Sequence, residues 1–389
     1  MFKHILLSSL VCASLSAQNF EIFLQNALQN SPYLQANNLN KEQAQEFSSL
    51  TTRYKNPTLE LEASNFSPDL GESEIGYRFA LRQPIRLWGV SANREDFAAA
   101  KEEQSLSLVR LKRAEFVREI SLVFSEYKSA LSAEVLAKEE LIISEKIVEI
   151  SKARYKNGTV ARVKYLQAKV DQHRVKNRLD ELAIKRLKSY YKLLTLSGLS
   201  EEVEIGSDYI FTLSVSSTTE NSAELNFAKT EVKSSLSSAQ LSANKIEWID
   251  LVGEFEQEPN QSIARLGVEI PLAVFNTKSE EKKISQIEAK KSELLVQNLT
   301  NTTMLKLKEI KKSLTMLEKL QKSTQILLDY QEELLKMYED AYKVANIDLI
   351  ELQIVKNQMI QTESKAIEIQ LSLEQKIIEH NFLTGEYNE

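Results

Sequence analysis

The sequence predicts a mainly helical protein with β strands, built from a strand hairpin and a long helical hairpin that each occur twice. Three observations carry this. Landmarks recur at one constant offset along the chain: Pro84 and Pro271, Tyr155-Lys156 and Tyr342-Lys343, Gly198 and Gly385. Short stretches of strict apolar–polar alternation precede two long segments. Those segments, Val90–Lys156 and Lys278–Val344, each run from end to end without proline or glycine. Landmarks that end or interrupt regular segments at one shared spacing mean that whole architectural units are duplicated.

The chain opens with the pattern of an export signal over residues 1–17. Lys3 and His4 precede an apolar stretch from Ile5 to Leu15 and the small residues Ser16-Ala17. This stretch is too short to span a membrane, which takes about 20 apolar residues. Cys12, the single cysteine, lies inside it, and Val11 before it argues against a lipoprotein. After cleavage no disulfide, thiolate metal site or cysteine nucleophile remains. Losing Lys3 leaves 48 basic against 55 acidic residues, a charge of −7. Nothing in that balance asks for nucleic acid, which takes a basic patch or stripe. His173 and His380 are expected as solvated surface residues. No later segment is apolar enough for a membrane helix. The chain is therefore periplasmic, or an outer-membrane protein whose strands escape hydropathy windows.

The first repeat, 18–202, begins with a helical stretch from about Phe20 to Tyr54, broken near Pro32. Leu59, Leu61 and Ala63 then alternate with Glu60 and Glu62. After turn residues at Pro68-Asp69 and Gly71, Ile75, Tyr77, Phe79 and Leu81 oppose Arg78 and Arg82. Alternation with a turn between is a strand hairpin, here 58–66 and 75–84. The second repeat, 223–389, has its helix at 223–246 and its strands at 249–257 and 263–271. There Ile249, Leu251 and Phe255 oppose Asp250, Glu254 and Glu256, and Leu266, Val268 and Ile270 oppose Arg265 and Glu269. Residues 203–222, with a β-like run from Tyr209 to Val215, read as a connector.

Alternation alone fits a soluble sheet or a barrel with lipid outside and a wet lumen. Strands of 9–11 residues suit a tilted membrane strand. Four strands cannot close a barrel, since small barrels need about eight, so a barrel would need several copies of the chain.

The long segments form helical hairpins, 90–198 and 278–385. At about 1.5 Å per residue the first helix of each is about 100 Å long. Ile310, Leu314, Leu317, Leu320, Leu327, Leu334, Tyr338, Ala341 and Ala345 trace the expected coiled-coil seam of the second. Asn157-Gly158 and Ala345-Asn346 mark the two reversals.

This plan, and the local sequence with it, resembles the TolC-type outer-membrane efflux proteins. Leu81-Arg82-Gln83-Pro84-Ile85-Arg86-Leu87-Trp88-Gly89 resembles that family's strand-to-helix passage, and Gly267-Val268-Glu269-Ile270-Pro271-Leu272 its partner. Arg154-Tyr155-Lys156-Asn157-Gly158 with Ala168 resembles the first hairpin tip, and Tyr342 with Asn346, Glu351 and Leu352 the second. The resemblance implies a homotrimer in the outer membrane with a large periplasmic portion. Three chains give a twelve-stranded barrel continuous with a tunnel of twelve helices. It also implies a periplasmic adaptor protein at the tips and an inner-membrane pump that supplies cargo. Members serving heavy-metal or small-molecule pumps look closest, and type I protein secretion is an alternative use of the duct. A soluble periplasmic coiled-coil adaptor or scaffold is the alternative of a different class.

The resemblance assigns residues to these regions. Tyr155, Asn157, Gly158, Thr159, Tyr342, Ala345 and Asn346 are expected at the tips, in contact with the adaptor. Asp348 and Glu351 are expected as carboxylate rings at a narrow aperture. Lys164, where relatives carry an acid, is expected to pair with Glu351 between neighbouring hairpins. Pro84, Trp88, Gly89, Pro271 and Phe275 form the passage from strand to helix, with Trp88 and Phe275 either in an interfacial aromatic belt or packed under the bend. No paired carboxylates, nucleophile–base constellation or phosphate loop occurs, so no enzyme, cofactor or metal site is expected.

Overall fold

A computed structural model describes residues 19–67, 71–216, 218–344 and 346–388. The export signal with Cys12, the Pro68-Asp69 turn and Ala345 lie outside them. Helix α1 (Phe20–Asn30) buries Phe20, Phe23 and Ala27, the i, i+3, i+7 face of a helix on its core. Pro32 opens α2 (Pro32–Thr52) at a first-turn position, where a missing N–H costs nothing. Strands β1 (Thr58–Phe66) and β2 (Glu74–Arg86) follow, then α3 (Val90–Lys156) and α4 (Arg162–Ser197). The second repeat supplies α5 (Ala223–Ser242), β3 (Trp248–Glu258), β4 (Gln261–Glu269), α6 (Ser279–Lys343) and α7 (Leu349–Thr384). Arg162 and Leu349 open the two return helices and Ser197 and Thr384 close them, each pair separated by the same offset as the landmark prolines. Gly385 caps α7 at φ 85°, and a Cβ there would meet the Asn221 carbonyl oxygen at 2.3 Å. Its counterpart Gly198 caps α4 and presses on Pro32.

The strands form one antiparallel sheet in the order β1-β2-β3-β4, so the two repeats join through β2 and β3. Pro84 lies within β2 rather than ending it. Pairing with β1 stops at Arg82, so Pro84 sits where β2 is open on that side and a missing donor is tolerated. The faces of the sheet differ sharply. Leu59, Leu61, Ile75, Tyr77, Phe79, Leu81, Leu251, Phe255, Leu266 and Val268 are exposed on one face, which carries no charged residue. On the other, Arg78 contacts Glu60, Glu62 and Glu254 at 3.0–3.4 Å. Arg82 contacts Glu269, its equivalent in the other repeat, at 2.5 Å, and Arg265 contacts Glu254 and Glu256.

Among the described residues the core is divided into three apolar clusters strung along the helices. Phe20, Phe124 and Phe211 centre the first, with Phe20 and Phe124 stacked at 4.1 Å. The connector therefore contributes Phe211 to a core, and Tyr209–Val215 forms no strand. The second cluster joins α3, α6 and α7 around Ile310, Leu314 and Phe382, and the third lies toward the tips around Leu335, Tyr342 and Leu352.

The seam of α6 departs from the expected register. Beyond Leu314 the buried residues are Thr324, Leu328, Leu335 and Tyr342, while Leu320, Leu327 and Leu334 stay exposed. Helix α6 thus carries two apolar stripes in adjacent heptad positions, and its own chain covers one. His380 is a second correction: it is 1% exposed, held inside the packing. Its burial, with Lys311 nearby, pushes the imidazole below its ordinary range.

Lys356 of α7 is fully buried, with Nζ 2.6 Å from Asp171 Oδ2, 3.1 Å from Ser144 Oγ and 3.6 Å from Glu140. Arg178 closes the network onto Glu140 at 3.1 Å. Lys356→Ala leaves two buried carboxylates without this cation, an expected loss of about 3–5 kcal/mol. Thermal denaturation followed by circular dichroism measures it. His380 gives a pH dependence. The folded chain disfavours its protonation while the unfolded imidazole protonates at ~6.5, so stability falls as pH drops through that value and levels off below the folded pKa. His380→Gln is expected to flatten the curve of denaturation midpoint between pH 7 and 5.

Candidate functional site at the helical tips and the strand-to-helix passage

The first tip is a helix ending of Schellman form. Gly158 N–H donates to the Tyr155 carbonyl at 3.1 Å and Thr159 N–H to the Arg154 carbonyl at 2.9 Å, with Gly158 at φ 73°. At the second tip Asn346 N–H donates to the Ala341 carbonyl at 3.0 Å, the equivalent of the Thr159 bond. Asn157, Gly158 and Thr159 are exposed at the reversal.

The two landmark tyrosines have different surroundings. Tyr155 is exposed and stacks on Tyr165, ring centroids 6.1 Å apart. Tyr342 is 1% exposed, shares a 2.9 Å hydrogen bond with the Ser151 hydroxyl and lies under the Arg154 guanidinium at 4.5 Å. Arg154 also donates to the Tyr342 carbonyl. Tyr342 therefore fastens the two hairpins together and is no surface contact. No carboxylate meets its hydroxyl.

Lys164 pairs with Asp348 at 2.7 Å, not with Glu351. The reason lies in the helix start. Asp348 caps α7, its Oδ1 accepting from Leu349 N–H at 2.8 Å, which turns Oδ2 toward the opening turn of α4. The Lys164 ammonium holds the Asp348 carboxyl below its usual range, and the bond from Leu349 N–H adds to that. Glu351 is exposed and has no ion-pair partner among the described residues. Of Asp348 and Glu351, the first is paired inside the chain and the second has no ion-pair partner among the described residues.

At the other end, Trp88 and Gly89 form the turn into α3, with Gly89 at φ 82°. Pro271 follows β4, and Lys278 precedes α6 at φ 53°, the left-handed position that glycine takes in the first repeat. Trp88 and Phe275 are both fully exposed, so neither packs under a bend in its own chain. Sequence reasoning missed the residues that hold this passage. Arg86 is buried between Tyr54 and Trp248, at 4.5 and 4.9 Å from their rings. It donates to the carbonyls of Thr52 and Arg53, and Arg94 donates to that of Thr51. Two arginines thus satisfy the free carbonyls at the end of α2. Glu247 ties the starts of α3 and α6 through Arg94 at 2.5 Å and Lys278 at 2.6 Å. The available clue was an arginine two residues after a proline at a strand end.

Among the described residues no cluster of His, Cys, Asp and Glu could hold a metal ion, and no helix is long and apolar enough to cross a membrane. A β-barrel needs no such helix.

Residues 23–199 match the model of the outer membrane efflux protein family. No curated protein matches the sequence significantly. Among solved structures, the outer-membrane channel OprN aligns at TM-score 0.82 and 11% identity, covering 95% of this chain and 90% of that one. The Campylobacter jejuni CmeC outer membrane channel aligns at TM-score 0.78 and 14% identity, covering 94% and 85%. The outer membrane protein VceC of Vibrio cholerae aligns at TM-score 0.78 and 14% identity, covering 94% and 95%. Over residues 23–199 the sequence is similar to the outer membrane efflux protein family, and over nearly its whole length the chain has the fold of these outer-membrane channels.

Proposed function

We propose that this protein is the exit duct of a tripartite exporter. It sits in the outer membrane with its helices in the periplasm and passes cargo from an inner-membrane pump through a periplasmic adaptor. The observation that carries this is the sheet: a charge-free apolar face left uncovered, a charged face zipped by ion pairs, and two open edges. Apolar-out, polar-in alternation is the pattern of a membrane barrel. Three copies supply twelve strands, enough for closure where four are not. Leu320, Leu327 and Leu334 recur at heptad spacing on a face that the chain does not bury. They suit a helix of a neighbouring copy. Trp88 and Phe275, fully exposed beside the strand ends, suit the membrane interface. Asn157, Gly158 and Thr159, with Tyr155 beside them, offer the surface for the adaptor.

Membrane fractionation tests the reading directly. The duct requires detergent for extraction, migrates as a heat-modifiable trimer and conducts in planar bilayers. Release by osmotic shock without conductance would instead identify a soluble periplasmic scaffold. The aperture gives a sharper expectation. Lys164→Glu replaces the Lys164–Asp348 pair by two facing carboxylates, and the mouth is expected to loosen. Single-channel conductance should rise, and an unchanged value refutes Lys164 as part of the aperture.

A further inference from the structure

Residues 150–170 carry six basic side chains, Lys152, Arg154, Lys156, Arg162, Lys164 and Lys169, and no acidic one. They do so in a chain whose net charge is −6. These residues form the end of α3, the first tip and the start of α4. Two of the six are engaged across the hairpins, Arg154 on Tyr342 and Lys164 on Asp348, and Lys169 leans on the Tyr165 ring at 6.0 Å. Lys152, Lys156 and Arg162 are exposed, with no ion-pair partner among the described residues.

Helix electrostatics accounts for only part of this collar. Arg154 and Lys156 stand in the last turn of α3, where a cation is favoured. Arg162 and Lys164 stand in the first turn of α4, where the helix field disfavours a cation and no acidic residue accompanies them. Asp348 compensates Lys164; nothing among the described residues compensates Arg162. The second tip neutralises Lys164 of the collar through Asp348, while Glu339 is taken by Lys146 and Asp340 by Lys343. Of the acids around the second tip, only Glu351 has no ion-pair partner among the described residues.

We propose that this collar docks an acidic protein segment, an Asp/Glu-rich stretch of the periplasmic partner. The proposal rests on the exit-duct reading and adds to it the sign of the partner's charge. The membrane that holds the sheet cannot be the occupant. Helix α3 carries the collar about 100 Å from the strands, against about 40–45 Å for a whole bilayer. Facing charges of opposite sign steer association and suppress wrong partners.

The test uses the full-length protein in detergent and two synthetic peptides that differ only in a stretch of glutamates or of lysines. Vesicles rich in anionic lipid are the third probe. The glutamate peptide is expected to bind, more weakly as salt rises, and the lysine peptide is not. In K152E/K156E/R162E the glutamate peptide should bind at least about tenfold more weakly, mainly through slower association, and the lysine peptide should gain. Misfolding cannot produce such an exchange of preference. Equal binding of the two peptides, an unchanged preference in the variant, or capture of vesicles in place of the glutamate peptide would each overturn the proposal. Bilayer conductance of the unaltered protein separates the two readings. A conducting channel without peptide preference refutes the acidic partner alone, whereas absence of conductance refutes the duct.

Discussion

The structure depends on backbone hydrogen bonding at the two edges of its sheet. Strands β1 and β4 each leave one row of N–H and C=O groups without a partner in the sheet. In hydrocarbon such an edge is untenable, because each unsatisfied group costs several kcal/mol and no water reaches it. In water the opposite face of the problem appears: the exposed apolar surface from Leu59 to Val268 would drive association. Pairing β4 of one copy with β1 of the next would satisfy the edges, and lipid against the outside of the closed sheet would cover the apolar face. The helices then have little freedom. Each hairpin enters from a strand end held by Arg86, Arg94 and Glu247, so closing the strands of several copies into a ring would arrange the helices in one as well.

Duplication supplied two equivalent halves, and the informative places are those where equivalence fails. Tyr155 faces outward while Tyr342 is locked against Ser151 and Arg154. Lys164 stands where the second repeat has Glu351. The left-handed position before the long helix falls on Gly89 in one repeat and on Lys278 in the other, where a side chain makes that conformation unfavourable. The tie from Lys278 to Glu247 compensates this and gives the second passage an ion pair that a glycine could not make. Equal backbones thus hold unequal surfaces: one tip is a basic exterior, the other a buried fastening.

Much of the fold was legible because its signals are local. Alternation at Leu59-Glu60-Leu61-Glu62 marks a strand wherever it occurs, and a helix ending at Gly198 or Gly385 declares itself through a residue type. What was not legible depended on which element meets which. Leu320, Leu327 and Leu334 differ from Leu328 and Leu335 by one position, and both stripes have a heptad spacing. Only the placement of α7 decides which is covered. His380 looks like any polar helical residue until α6 packs over it. The partner of Lys164 was misplaced by one helical turn, because an N-cap was not anticipated at Asp348. Arg86, Ser151, Asp171 and Lys356 find partners on other elements, distant along the chain, and nothing in their immediate sequence announces them.

The buried charges answer a problem that long helices create. A helix the length of α7, about 54 Å, can slide along its neighbours by a heptad, about 10.5 Å, and still match apolar residue to apolar residue. Hydrophobic burial hardly distinguishes such states. Lys356 does, because it is fully buried between Asp171 of α4 and Glu140 of α3. A slip of α7 by one heptad would carry its ammonium beyond reach of both carboxylates and leave three charges buried without this pairing. Removing one partner from a buried pair typically costs about 3–5 kcal/mol, enough to make the slipped state rare. Ion pairs repeat this restraint along the helices, Lys128 with Glu374 at 2.8 Å and Glu134 with Arg186 at 2.5 Å. The exposed pairs add little energy individually. Together with the buried ones they fix the axial register, and the register fixes where the tips stand.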